Sequence, residues 1–167
     1  QALIDKFKES NPKVIEELIP DVLTLGKTQK VLQNLLKEQV SIRDLRTILE
    51  QLADYGPTTQ DTDILTEYVR QAMARPITKQ FQSEDGSLSV MTLDREIEEL
   101  ILGSIQKTEI TSFLALEPTV AEKLLVKLQE AVEGMTPKLE TSPVLLASPG
   151  IRHHLRKFVE RFLPDLA

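Results

Sequence analysis

Apolar residues recur every three to four positions through the first 75 residues, a period that predicts helices joined by short connections. Residues 1–9 form a short amphipathic stretch. Asn11-Pro12 then reads as an N-cap followed by proline at the first helical position, and Pro20 closes that piece. Over residues 27–38, Val31, Leu32, Leu35 and Leu36 share one face, with Gln33 and Asn34 opposite. Ser41, followed three positions on by Asp44, reads as a variant capping box. The helix it opens turns Ile42, Leu45, Ile48, Leu49 and Leu52 inward and is expected to stop at Tyr55-Gly56-Pro57. Asp61 or Thr62 caps a further helix carrying Ile64, Leu65, Tyr68, Val69, Ala72 and Met73 in period, which Pro76 ends or bends.

Beyond the turn-prone Ser83-Glu84-Asp85-Gly86 the rhythm changes. Short apolar runs at 88–93, 112–116 and 144–147 read as strands, each followed by a helical pattern: 94–105, 118–133 and 149–162, the last capped by Ser148-Pro149. Strands alternating with helices imply crossover connections and a largely parallel sheet. The expected fold is therefore mixed α+β. An all-helical subdomain spans 1–76, a linker 77–87, and an α/β subdomain of about three βα units 88–167.

Composition narrows the function. With 41% apolar and 28% charged residues the chain has the balance of a folded protein, and five Phe and two Tyr leave the core to Leu, Ile and Val. A net charge of −6, with both signs interleaved, excludes the concentrated basic face that a nucleic-acid partner requires. Cysteine is absent, which removes disulfides, thiol catalysis and Cys-based zinc sites. No apolar run approaches the roughly 20 residues of a membrane helix, and no signal segment opens the sequence.

Each candidate for chemistry has a plainer reading. Gly26-Lys27-Thr28 resembles the end of a phosphate loop, but the first glycine of that motif is replaced by Asp21 and no strand precedes it, so a helix start explains it. His153 and His154 are neighbours about 100° apart on a helix and cannot chelate as an i, i+4 pair. They read as a surface or half-buried pair among Arg152, Arg156 and Lys157. Ser148-Pro149-Gly150 opens a helix after a buried strand and could hold an anion, which keeps a small anion-binding α/β enzyme as the rival from another class. Glu16-Glu17 and Glu98-Glu99 read as solvated faces. Arg43, Asp44 and Arg46 place dense mixed charge at the start of an apolar helix: either dipole complementation with solvated arginines, or the polar rim of a protein contact. No catalytic, metal-binding or cofactor-binding constellation emerges.

Residues 29–54 (QKVLQNLLKEQVSIRDLRTILEQLAD) strongly resemble the signature of the type III secretion export-gate family, and residues 63–75, 143–149 and 161–165 continue the match. The likeness is closer to flagellar members, with the injectisome (virulence) members as the alternative. The resemblance implies a non-enzymatic cytoplasmic fragment, corresponding to the third, helical, and fourth, α/β, cytoplasmic subdomains. The full-length protein would be anchored in the bacterial inner membrane through an N-terminal domain missing here. It implies a homo-nonameric ring that receives secretion chaperones, export substrates and other export-apparatus proteins, with no cofactor. It marks Arg43, Asp44 and Arg46 as ring-contact or subdomain-contact candidates. It also implies that relatives continue beyond Asp165 into another strand, so that the last subdomain is expected to lack an edge strand.

Overall fold

The computed structural model describes residue 4 and residues 12–108, 112–136 and 142–167. The expectations for residues 1–9 and for the Asn11 cap lie outside the described residues, except that Ile4 is helical and buried. Two compact units divide the chain, Gln1–Gln80 and Phe81–Ala167.

In the first unit the helices are α1 (Pro12–Leu18), α2 (Leu25–Lys37), α3 (Leu45–Tyr55) and α4 (Thr62–Ala72), followed by α5 (Ala74–Phe81), whose last residue enters the second unit. The Thr24 hydroxyl caps α2 by accepting the Lys27 amide at 3.3 Å. At its other end Gln39 takes φ 58°, the Gln39 amide donates to Leu36 O at 3.0 Å, and the Val40 amide donates to Leu35 O at 2.9 Å. That is a Schellman termination, completed by burial of Val40 in the same core as Leu35. The cap of α3 is Asp44, not Ser41 as the spacing suggested. Asp44 accepts the Thr47 amide at 3.1 Å and the Thr47 hydroxyl at 2.7 Å, whereas Ser41 only accepts the Arg43 amide at 3.4 Å. Helix α4 breaks at Met73, because Pro76 has no amide to give the carbonyl of residue 72 and its ring crowds that carbonyl.

Val31, Leu35, Ile48, Leu49, Leu52, Leu65 and Val69 are fully buried, and each aliphatic side chain so buried contributes roughly 1.5–3 kcal/mol before chain entropy is set against it. Helix α4 packs on both α2 and α3, and α1 on α3. A polar seam joins α2 to α4. Asn34 Nδ2 donates to Asp63 Oδ1 at 3.1 Å and Thr66 Oγ1 at 3.2 Å, and Arg70 Nη1 meets Glu38 Oε2 at 2.7 Å. Partner numbers rise together along both helices, so α2 and α4 run parallel. The apolar stripes are wider than the buried width: Leu36 and Ile64 share the helical period yet are 54% and 45% exposed.

Gly56 follows α3 with φ −55°, an ordinary helical value rather than the left-handed one expected of a terminating glycine. Its role is close approach. A Cβ there would lie 2.4 Å from Val22 Cγ1 and 2.6 Å from the Leu52 carbonyl oxygen.

The second unit contains β1 (Val90–Thr92), α6 (Arg95–Gly103), β2 (Ile105–Lys107), β3 (Ser112–Leu114), α7 (Pro118–Met135), β4 (Val144–Leu146) and α8 (Pro149–Val159). Strands β1 and β4 pair in parallel, with Met91 opposite Leu145, as the βα reading requires. The middle strand departs from it: β3 pairs antiparallel with β2, with Gln106 opposite Phe113. Strand β2 begins at Ile105, where the preceding helix was expected to end, and covers residues for which no strand was expected; it carries one apolar residue in three and is specified by its partner. Ile101, Leu124, Leu128, Ile151, Leu155, Val159 and Leu166 form the core of this unit, with Met91 and Leu145 packed against it. The last residue lies along the other edge of β4: the Leu145 amide donates to Ala167 O at 2.8 Å and the Ala167 amide to Pro143 O at 2.9 Å.

Candidate protein-contact site

The three charged residues singled out from the sequence sit together where the chain enters α3, but they are not equivalent. Asp44 is consumed by the helix start, both of its carboxylate oxygens being engaged by Thr47. Arg46, on the first turn, reaches along the helix, its Nε 2.8 Å from Glu50 Oε1, with 69% of its side chain exposed. The Glu50 carboxylate holds its guanidinium above the ordinary value, through the hydrogen bond first and its charge second, with Asp44 adding a little. Arg43 precedes the cap and is exposed. The site is thus two outward guanidiniums braced by a capped, apolar helix whose inner face is Leu45, Ile48, Leu49 and Leu52. It offers fixed positive charge and planar donors, which suit carboxylates on a protein surface, and nothing that could move a proton.

Other candidates resolve structurally. The Lys27 ammonium donates to Gln60 Oε1 at 2.9 Å, and Gln60 Nε2 in turn donates to the Val22 and Gly56 carbonyls at 3.0 and 2.8 Å. The phosphate-loop lookalike is therefore a brace from the first turn of α2 to Gln60, which in turn holds the Val22 and Gly56 carbonyls. His154 Nε2 lies 3.4 Å from Ser112 Oγ, and the two histidine rings meet edge to face at 5.5 Å. Among the described residues no group of three or more His, Cys, Asp or Glu could hold a metal ion.

The anion-site candidate is answered by a residue misread as solvated. Glu98, half-buried on α6, accepts the Ser148 amide at 2.9 Å. The start of α8 thus receives its negative charge from the protein itself. Fifty residues separate these partners, so no local signal could have joined them. Glu99 pairs instead with Arg95 at 2.8 Å on the exposed face.

The sequence profile of the FHIPEP family matches residues 1–167. The chain belongs to the FHIPEP family. It is 46% identical over 164 residues to the flagellar biosynthesis protein FlhA of Bacillus subtilis, covering 98% of this chain and 24% of that protein. Among solved structures it is similar to the Chlamydia pneumoniae CdsV protein, with TM-score 0.87 and 38% identity over 99% of this chain and 47% of that one. It is also similar to nonameric SctV-C of EPEC, solved by cryo-EM, with TM-score 0.86 and 32% identity over 99% of this chain and 49% of that one. This FHIPEP chain therefore spans about a quarter of the length of the FlhA protein it matches and about half of the solved chains. No described helix is long and apolar enough to cross a membrane.

Proposed function

We propose that this FHIPEP chain is a cytoplasmic segment of a flagellar type III protein-export gate and that it works by docking, without catalysis. The observation that carries the reading is the family match along all 167 residues. In this reading residues 1–76 and 88–167 are the third and fourth cytoplasmic subdomains, joined through 77–87. The whole protein sits in the bacterial inner membrane, with this part on the cytoplasmic side of a ring of like subunits that receives chaperones and export substrates. The flagellar assignment is preferred to the injectisome one because identity is higher to the FlhA relative than to the solved CdsV and SctV-C chains.

Within that ring, Arg43 and Arg46 are the contact residues and Asp44 is the cap that positions them. The docking role is tested by immobilising a longer protein that restores the preceding cytoplasmic subdomains and passing flagellar chaperones over it. Retention at micromolar concentration is expected, and its absence would overturn the role. The contact assignment is tested separately by sedimentation of the same protein. Arg43→Glu with Arg46→Glu should abolish ring assembly while Asp44→Asn preserves it; intact rings in the doubly reversed protein would sink the assignment.

A further inference from the structure

Asp85-Gly86 is the one Asp-Gly pair in the sequence, and Asn-Gly does not occur. Every other aspartate is followed by a residue whose side chain crowds its own amide. At Gly86 nothing shields the backbone nitrogen from the carboxyl carbon of the residue before it. The pair is exposed, and no atom stands within 4 Å of where a Gly86 Cβ would lie.

The turn around the pair nevertheless withholds each reacting group. The Gly86 amide donates to Ser83 O at 2.9 Å, and the Ser83 amide donates to Ser87 O at 2.9 Å. Within the turn φ is positive at Gly86 alone, +82°, which makes it a type I turn closed by a left-handed glycine. Asp85, the third residue of such a turn, has ψ of about 0°. A five-membered ring through the Gly86 nitrogen needs that nitrogen coplanar with the Asp85 Cβ, Cα and C, which this ψ does not give. The Ser87 amide donates to Asp85 Oδ1 at 2.8 Å. Hydrogen bonds from Ser87, its side chain foremost, also keep the carboxyl ionised, so the neutral acid from which water could leave is scarce.

We propose that Asp85-Gly86 is the site where this chain forms isoaspartate, and that the Ser83–Ser87 turn guards it. When the turn opens, the Gly86 nitrogen attacks Asp85 Cγ, and its proton leaves with the carboxyl hydroxyl as water. A second water reopens the succinimide. Cleavage at the Asp85 backbone carbonyl leaves the chain running through Cβ and Cγ, one carbon longer, with the α-carboxylate free. The inference goes beyond the docking role and does not depend on it.

The intact chain is aged at neutral pH beside a synthetic peptide of residues 80–90. Isoaspartate is then located by electron-transfer mass spectrometry and counted by methyl transfer from an isoaspartyl methyltransferase. Asp85 should be the first site to convert, about ten-fold more slowly in the chain than in the peptide, because the hydrogen bonds of the turn must open first. Ser87→Pro removes the amide that Asp85 accepts and should bring the chain to the rate of a peptide carrying the same substitution. Unchanged amide shifts outside 81–88 would show that this variant has folded, and the comparison of parent chain with parent peptide stands without it. Isoaspartate arising first at another residue overturns the site. A parent chain that converts as fast as its peptide overturns the guard, as does a folded Ser87→Pro chain that stays as slow as the parent.

Discussion

Gly56→Ala is the sharpest test of the packing described for the first unit. The added methyl would stand 2.4 Å from Val22 Cγ1, 2.6 Å from Leu52 O and 3.2 Å from Leu23 Cγ. Val22 is half-buried and can rotate. The Leu52 carbonyl cannot, because it belongs to α3 and accepts the Gly56 amide at 2.9 Å. Relief therefore requires the chain after Tyr55 to move away, stretching that hydrogen bond and lifting Leu23 from a site where it is 1% exposed. Overpacking of this kind costs about 1–3 kcal/mol and a weakened hydrogen bond about 0.5–1.5. The loss of glycine's unfolded freedom returns about 0.4–1 kcal/mol. The net is a destabilisation of about 2 kcal/mol, or about 8–16 °C in Tm if the 80-residue unit unfolds by itself. Both tyrosines, Tyr55 and Tyr68, belong to this unit and stack at 4.0 Å, so near-ultraviolet circular dichroism of tyrosine during urea unfolding reads the first unit alone. Adding Val22→Ala should recover part of the loss, since it removes one clash and leaves the other. A Gly56→Ala chain within about 0.5 kcal/mol of the parent, inside the ordinary scatter of surface substitutions, would refute the close-approach argument.

Other outcomes follow from the same contacts. Asp44→Ala should cost about 1 kcal/mol by uncapping α3, with Asp44→Asn losing much less, both read from the tyrosine signal. Arg70→Met should cost about 1.5–3 kcal/mol, the range for a hydrogen bond to a charged group, because it removes the partly buried bond to Glu38; replacing Glu38 by Gln as well should recover part of it. Gly134→Ala meets nothing within 4 Å near the end of α7 and should stabilise the second unit by about 0.5 kcal/mol, measured by calorimetry. Hydrogen bonds from Ser87 hold the Asp85 carboxyl below its usual range. Its ordering of the turn is therefore fully present above the unfolded value and fades as pH falls through the lowered one. Ser87 amide exchange, corrected for its intrinsic pH dependence, should lose protection on acidification in the parent chain but not in Asp85→Asn.

The helical unit was legible because its period and its burial coincide. Val31, Leu35, Ile48, Leu49 and Leu52 were read as inward from spacing and are fully buried. The failures share a cause. Leu36 and Ile64 obey the same spacing, but the neighbouring helices cover only part of each apolar stripe. Ser41 and Asp44 are both good caps, and the choice fell to Asp44 through Thr47, whose hydroxyl adds a second bond. Strand β2 depends on its hairpin partner β3 and the Glu98–Ser148 bond on a residue fifty positions away, neither of which periodicity registers. Function was legible only through family resemblance, because two outward arginines on a capped helix have no pattern that separates a contact surface from a solvated one.

Glu98 has a consequence for the company this domain can keep. A parallel strand leading into a helix is where nucleotides and sugar phosphates commonly lodge. Here such a guest would first have to displace the Glu98 carboxylate from the Ser148 amide. The start of α8 is thereby closed to a competing anion by the chain's own carboxylate, and any shift of α6 is felt where α8 begins.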